Sequence, residues 1–250
     1  MRISELWYSK NEEDWNIALN EYDKKVDSDL EEYMDNITSE EVKTMGVEEF
    51  YEFLRDKYFE WKYKKNYFQR RLNDLAKHQS GDGKRELLKI KERLFELADQ
   101  EKENTSKLLE ELTKISGLGV AGASGLLSIL YPEYYGTVDK FLVISLCLVD
   151  GFDKHDELLK IDVSEIKINK AVLLEEIIRE KAASLNHMFK PVEEKDKWTP
   201  KKIDKVLWAY RDEHQIAYYN IEKAISANRE LLTDEDRERL VDKIRGNKRK

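Results

Sequence analysis

Apolar residues return every three or four positions along almost the whole of this 250-residue chain. That spacing is the signature of helices that bury one face. Trp15, Leu19, Tyr22 and Val26 mark one amphipathic stretch, and Phe50, Phe53, Leu54 and Tyr58 a second. Leu87, Ile90, Leu94, Leu97 and Ala98 mark a third, which continues through Leu108, Leu109, Leu112 and Ile115. Helical patterns recur at 171–188, 199–210 and 214–227, with Thr199-Pro200 as an N-cap and first-turn pair. Only 10 glycines and 3 prolines are available for turns, far below the usual share. A sandwich, a barrel or a collagen-like chain needs more, so the sequence predicts an all-α fold. The clearest expected surface loop is Ser80-Gly81-Asp82-Gly83.

No uncharged apolar run approaches the ~20 residues of a membrane span, and the start, MRISELWYSKNEEDW, holds no apolar signal-peptide core. One cysteine, Cys147, excludes an internal disulfide framework, a four-cysteine iron–sulfur cluster and a Cys-rich zinc site. These features predict a reduced, cytoplasmic protein with no membrane partner. The net charge of −8 hides an asymmetry: residues 1–54 carry −11, residues 55–93 carry +7 and residues 237–250 carry +5. Local field governs whether a polyanion docks, so the basic middle stays open to nucleic acid. Three regions are expected: an acidic helical N-terminal region at 1–54, a core domain at 55–232, and a basic helix and tail at 233–250.

Residues 112–146, LTKISGLGVAGASGLLSILYPEYYGTVDKFLVISL, carry the chemistry. Gly117, Gly119 and Gly122 match the spacing of a dinucleotide-binding loop, but that loop must come after a strand. Here Leu108, Leu109, Leu112 and Ile115 precede it at helical spacing. A helix entering a glycine turn and leaving as a second, small-residue helix fits better. Glycine lets such a turn take positive φ, expected at Gly119 as well as Gly117, and lets a phosphate approach the backbone. Exposed N–H groups at the turn and the second-helix start, on Gly119, Val120, Ala121 and Gly122, then form an anion-binding nest. Ala121, Ala123, Ser124 and Gly125 permit close helix packing. A plain helical corner with no ligand would show the same pattern.

The residues after the turn separate the two. Ile115-Ser116-Gly117-Leu118-Gly119, the apolar stretch 123–131, Pro132 and Tyr135 in a short loop, then Val138-Asp139, together resemble the helix-hairpin-helix DNA glycosylase superfamily. The segment is most similar to a bacterial branch related to the eight-oxoguanine glycosylases. Glu60-Trp61-Lys62 and Asp204-Lys205-Val206-Leu207-Trp208-Ala209-Tyr210 resemble flanking segments of that branch. The resemblance implies a helix-hairpin-helix core and a catalytic role for Asp139. It implies no redox cofactor or metal site, and admits only a monovalent cation at the hairpin carbonyls. Bifunctional members place a nucleophilic lysine two residues after the second hairpin glycine. Ala121 stands there, so Schiff-base chemistry is not implied; Lys114 and Lys140 are neighbours in sequence only.

Loss of a base from deoxyribose builds positive charge on the sugar, which a carboxylate can stabilise while it orients or deprotonates water. Asp139 suits that role, and equally suits capping of the next helix. Residues 58–71, YFEWKYKKNYFQRR, interleave aromatics with basic side chains. Lys62, Lys64, Lys65, Arg70, Arg71 and Lys140 are candidate DNA contacts, with Trp61 the preferred stacking residue. A solvated amphipathic helix is the alternative. Trp208 reads as core packing, the four histidines as surface or satisfied groups, and Cys147 as buried and inert. The expected activity is hydrolytic: a monofunctional DNA glycosylase acting on a flipped damaged or modified base, in repair or in defence against phage. The alternatives are a non-catalytic DNA-binding module and a helical protein–protein adaptor.

Overall fold

The computed structural model describes residues 1–210 except Asp27 and Lys64. The expected helix at 214–227, the basic tail, His214 and Lys64 lie outside the described residues, as does the side chain of Lys65. The described chain is all-helical, with no strand among the described residues. In chain order the α-helices are α1 Ile3–Trp7, α2 Glu12–Asp23, α3 Ser28–Asn36, α4 Ser39–Thr44, α5 Val47–Phe53, α6 Phe59–Lys62 and α7 Lys65–Leu75. Then come α8 Gly81–Glu101, α9 Thr105–Leu112, α10 Val120–Leu130, α11 Lys140–Cys147, α12 His155–Leu159, α13 Ile168–Phe189 and α14 Pro200–Ala209. Among the described residues no helix is long and apolar enough to cross a membrane.

The chain divides into two compact units, each assembled from separated segments. One comprises Met1–Lys25, Asp139–Lys167 and the chain from Asp204; the other comprises Val26–Val138 and Ile168–Ile203. In the first, Trp7 packs against Trp15 and, edge-on, against Phe152 at 5.8 Å. Tyr22 meets the half-buried Trp208 edge-on at 5.1 Å, so Trp208 packs as the sequence suggests. Helix α11 is buried from Leu142 to Cys147 and packs on α12. The Ser145 hydroxyl donates to the Leu207 carbonyl at 3.1 Å, and His155 sits 3.2 Å from the Cys147 carbonyl.

In the second unit α9 packs against α8, α10 and α13. The third amphipathic stretch is two helices rather than one. It breaks before Asn104, whose side chain caps α9 by accepting from the Lys107 N–H at 3.2 Å. Between α5 and α6 the helix widens into a π-turn over Leu54–Tyr58. The extra residue per turn brings Leu54, Tyr58 and Phe59 all inside, each fully buried. The expected loop at Ser80–Gly83 is corrected by the structure: Gly81 and Gly83 form the first turn of α8. Gly83 presses so closely on the Lys77 carbonyl that any Cβ there would collide with it. That glycine marks a close backbone approach, not a loop.

Candidate functional site

Helix α9 ends at Leu112, and a turn through Ile115, Gly117 and Leu118 delivers the chain to α10 at Val120. Gly117 adopts φ +94°, as the turn requires. Gly119 does not: its φ is −92° and its ψ −176°, extended backbone open to any residue, with nothing within 4 Å of a Cβ built there. The expectation of positive φ at Gly119 is therefore corrected; a single left-handed residue reverses this chain. Gly119 is exposed and is the N-cap of α10, yet offers no side chain to cap it. The N–H groups of Gly119, Val120, Ala121 and Gly122 have no acceptor among the described residues. Helix-start donors in that state carry partial positive charge and suit an anion.

The turn is held from behind by the segment that supplied the aromatic and basic candidates. Tyr58 donates its hydroxyl to the Gly122 carbonyl, and Tyr63 donates to the Gly117 carbonyl at 3.1 Å. Burial raises both phenols, Tyr63 to about 12 and Tyr58 well above its ordinary value, so both stay protonated donors at neutral pH. The glycines explain the fit. A Cβ at Gly125 would lie 2.8 Å from the Tyr58 hydroxyl, one at Gly122 would strike the Tyr63 hydroxyl, and one at Gly117 would lie 2.7 Å from the Arg71 carbonyl. Close approach thus rests on Gly117, Gly122 and Gly125, the last two about one helical turn apart. His78, only 1% exposed, fastens the turn from below. Its Nε2 accepts from the Ser116 N–H at 2.9 Å and its Nδ1 donates to the Gly83 carbonyl at 3.0 Å. The carbonyls of Ile115 and Gly117 already accept from the Leu118 N–H and the Tyr63 hydroxyl. A monovalent cation there would compete with protein donors, and no role is assigned to one.

The structure therefore brings Gly117, Gly119, Val120, Ala121 and Gly122 together with Lys62 and Arg71. The Lys62 stem lies 3.4 Å from a Cβ built on Gly125, and the Arg71 guanidinium stands 5.6 Å from the Tyr63 ring centroid. Arg70 is exposed on α7. Trp61 is half-buried and committed: its indole N–H donates to Glu31 at 2.6 Å.

Asp139 and Lys140 begin the first unit's middle segment. Asp139 is the N-cap of α11, its Oδ1 accepting from the N–H groups of Phe141 at 2.8 Å and Leu142 at 3.3 Å. Its Oδ2 has no partner among the described residues. The half-buried Lys140 stands 5.5 Å from the Phe141 ring centroid.

Within the second unit, residues 134–138 are fastened at almost every position. Arg179 donates to the Tyr134 carbonyl at 3.0 Å, and the Tyr135 hydroxyl donates to the Lys102 carbonyl at 2.6 Å. The Gly136 N–H donates to Glu175 at 3.0 Å, and the Val138 N–H to the Ser124 hydroxyl at 2.9 Å. The Ser128 hydroxyl is 3.4 Å from that of Thr137. Sequence reasoning missed these anchors, although a signal existed. Ser124 and Ser128 stand four apart in an apolar helix, as do Glu175 and Arg179, and a polar pair on a buried face must have partners. No pattern announced His78. Among the described residues no cluster of His, Cys, Asp and Glu could hold a metal ion. No protein-family model, no curated protein and no solved structure matches the chain.

Proposed function

We propose that this protein is a monofunctional DNA glycosylase of the helix-hairpin-helix kind, hydrolysing the N-glycosidic bond of a damaged or modified base held outside the duplex. One observation carries the reading: two complementary groups are left without partners on well-fixed backbone. The N–H groups at the start of α10 await an anion, and Oδ2 of Asp139 awaits a cation or a proton. A DNA phosphate suits the first, with Lys62 and Arg71 beside the hairpin and Arg70 exposed on the same helix as Arg71. The second suits a sugar developing oxocarbenium character. As the C1′–N bond breaks, Asp139 stabilises the positive C1′ and takes a proton from the water that forms the C1′–O bond; the base leaves with its electron pair and is protonated. The cap through Oδ1 keeps the carboxylate rigid, as such a role requires.

The cap also favours a second reading, in which Asp139 serves α11 alone and the protein binds DNA without chemistry. Incubation with a panel of duplexes, each carrying one damaged or modified base, and then with hot alkali, decides between them. Base release predicts strand breaks that appear only after alkali, and borohydride should trap no protein–DNA adduct because Ala121 occupies the lysine position. Tight binding with no breaks anywhere in the panel favours the non-catalytic module. A trapped adduct would instead mean that an amine such as Lys114 or Lys140 acts as nucleophile.

A further inference from the structure

We infer that Tyr67, not Trp61, is the side chain that stacks on an unpaired base when the α10 turn holds a phosphate; the inference rests on the DNA-binding reading above. Trp61 is half-buried, bonded to Glu31 through its N–H and packed against the Tyr58 ring at 5.9 Å between centroids. Tyr67 is 64% exposed on α7, and no hydrogen bond, ion pair or ring contact engages it among the described residues. Of the aromatic side chains exposed among the described residues it is the most exposed, and its ring face is available for stacking.

Its neighbours identify that partner. Arg70 and Arg71 stand at the i+3 and i+4 positions and so share the face of α7 that carries Tyr67. Neither guanidinium pairs with a carboxylate among the described residues, in a chain where Lys43, Lys84, Arg85, Lys107 and Lys201 all do. An aromatic ring flanked by two unneutralised guanidinia fits a polyanion that presents flat π-faces, which is a nucleic-acid strand with exposed bases.

Helix α7 itself sets the placement relative to the turn. The Arg71 carbonyl is the backbone atom pressed against Gly117, and Tyr67 lies four residues before it, about 6 Å along the axis. The ring therefore stands on the helix whose backbone packs against the glycine turn. For the ring to stack, a strand with a phosphate on the open N–H groups of Gly119, Val120 and Ala121 must run along α7.

The test uses the full-length chain and three DNA probes of matched length: a single strand, an intact duplex, and a duplex with one abasic gap. Tyr67→Ala should weaken binding to the single strand and the gapped duplex about ten-fold or more and leave the intact duplex nearly unchanged. Tyr67→Phe should behave as wild type. Because stacking displaces no counterion, the slope of log affinity against log salt should stay the same in Tyr67→Ala and become shallower by about one in Arg70→Gln. Equal affinity of Tyr67→Ala and wild type for all three probes overturns the inference while leaving DNA binding intact. Failure of the wild-type chain to bind any probe overturns DNA binding itself, and the inference with it.

Discussion

Two helix starts in this protein solve the same problem in opposite ways. Helix α11 closes its own N-terminus: Asp139 bends one carboxylate oxygen onto the Phe141 and Leu142 N–H groups. Helix α10 begins at a bare glycine and leaves its first N–H groups open. A glycine N-cap costs a few tenths of a kcal/mol relative to Ser, Thr, Asn or Asp, and it leaves the donors unsatisfied. Nothing steric prevents one at position 119, because Gly119 is extended and a Cβ there meets open space. Around that open start the chain spends considerable construction, including two tyrosine hydroxyls, a buried histidine and three closely approached glycines. A rigidly supported but unsatisfied donor set is what anion binding demands. The closed start instead keeps its anion internal, with one oxygen to spare.

The largest expected effect comes from removing the charge at the closed start. Asp139→Asn retains a good N-cap, so thermal stability should change little. If Oδ2 performs the chemistry, base release should fall by about two orders of magnitude or more, with DNA binding preserved. Single-turnover excision measured beside a melting curve separates the two roles. Undiminished excision by the Asn variant would remove Asp139 from the mechanism. At the open start the corresponding blow falls on the turn. Gly117→Ala forces a side chain into φ +94° and toward the Arg71 carbonyl. A loss of about 1–3 kcal/mol is expected, measured by denaturant unfolding. Gly119→Ala should cost much less, since no strain arises at 119; equal losses at the two positions would show that the turn geometry has been misassigned.

Most of this contrast was legible in the sequence, and the part that was not has a physical reason. Helical spacing located α2, α13 and α14, and Thr199 accepts the Lys202 N–H at 3.2 Å as its position before Pro200 implied. The glycine turn and the Val138-Asp139 helix start were also visible. The φ of each glycine was not, because a spacing of two does not say which residue turns the chain. At Ser80–Gly83 local composition pointed to a loop, and tertiary contact with Lys77 overrode it. Trp61 read as a free aromatic because its partner Glu31 lies in a distant acidic segment; long-range pairing leaves no local trace. The discontinuous units escape periodicity for the same reason.

Converting the open start into a closed one is the sharper experiment. Gly119→Asp would place a carboxylate where Asp139 stands in α11, on backbone that already has the extended N-cap conformation. Stability should rise by a few tenths of a kcal/mol. DNA affinity should fall about ten-fold or more, because the new carboxylate both occupies the N–H groups and repels phosphate. A variant that gains the cap and keeps its affinity would place phosphate binding elsewhere.

The smallest effect isolates the anion site from DNA altogether. A ligand that binds only the folded state stabilises it by RT ln(1 + [L]/Kd). If inorganic phosphate occupies the open donors, at a concentration several-fold above its Kd it should add about 1 kcal/mol to the stability of the wild-type chain. Phosphate also stabilises folded proteins generally, by exclusion from their surfaces, so the wild-type increment alone decides nothing. The difference between wild type and Gly119→Asp does, because general exclusion acts on both and only one has an open helix start. Asp139→Asn supplies the converse control: it alters the closed start and should respond to phosphate as wild type does. A phosphate increment equal in wild type and Gly119→Asp would mean that the open N–H groups of α10 bind no anion, and the comparison between the two helix starts would lose its functional meaning.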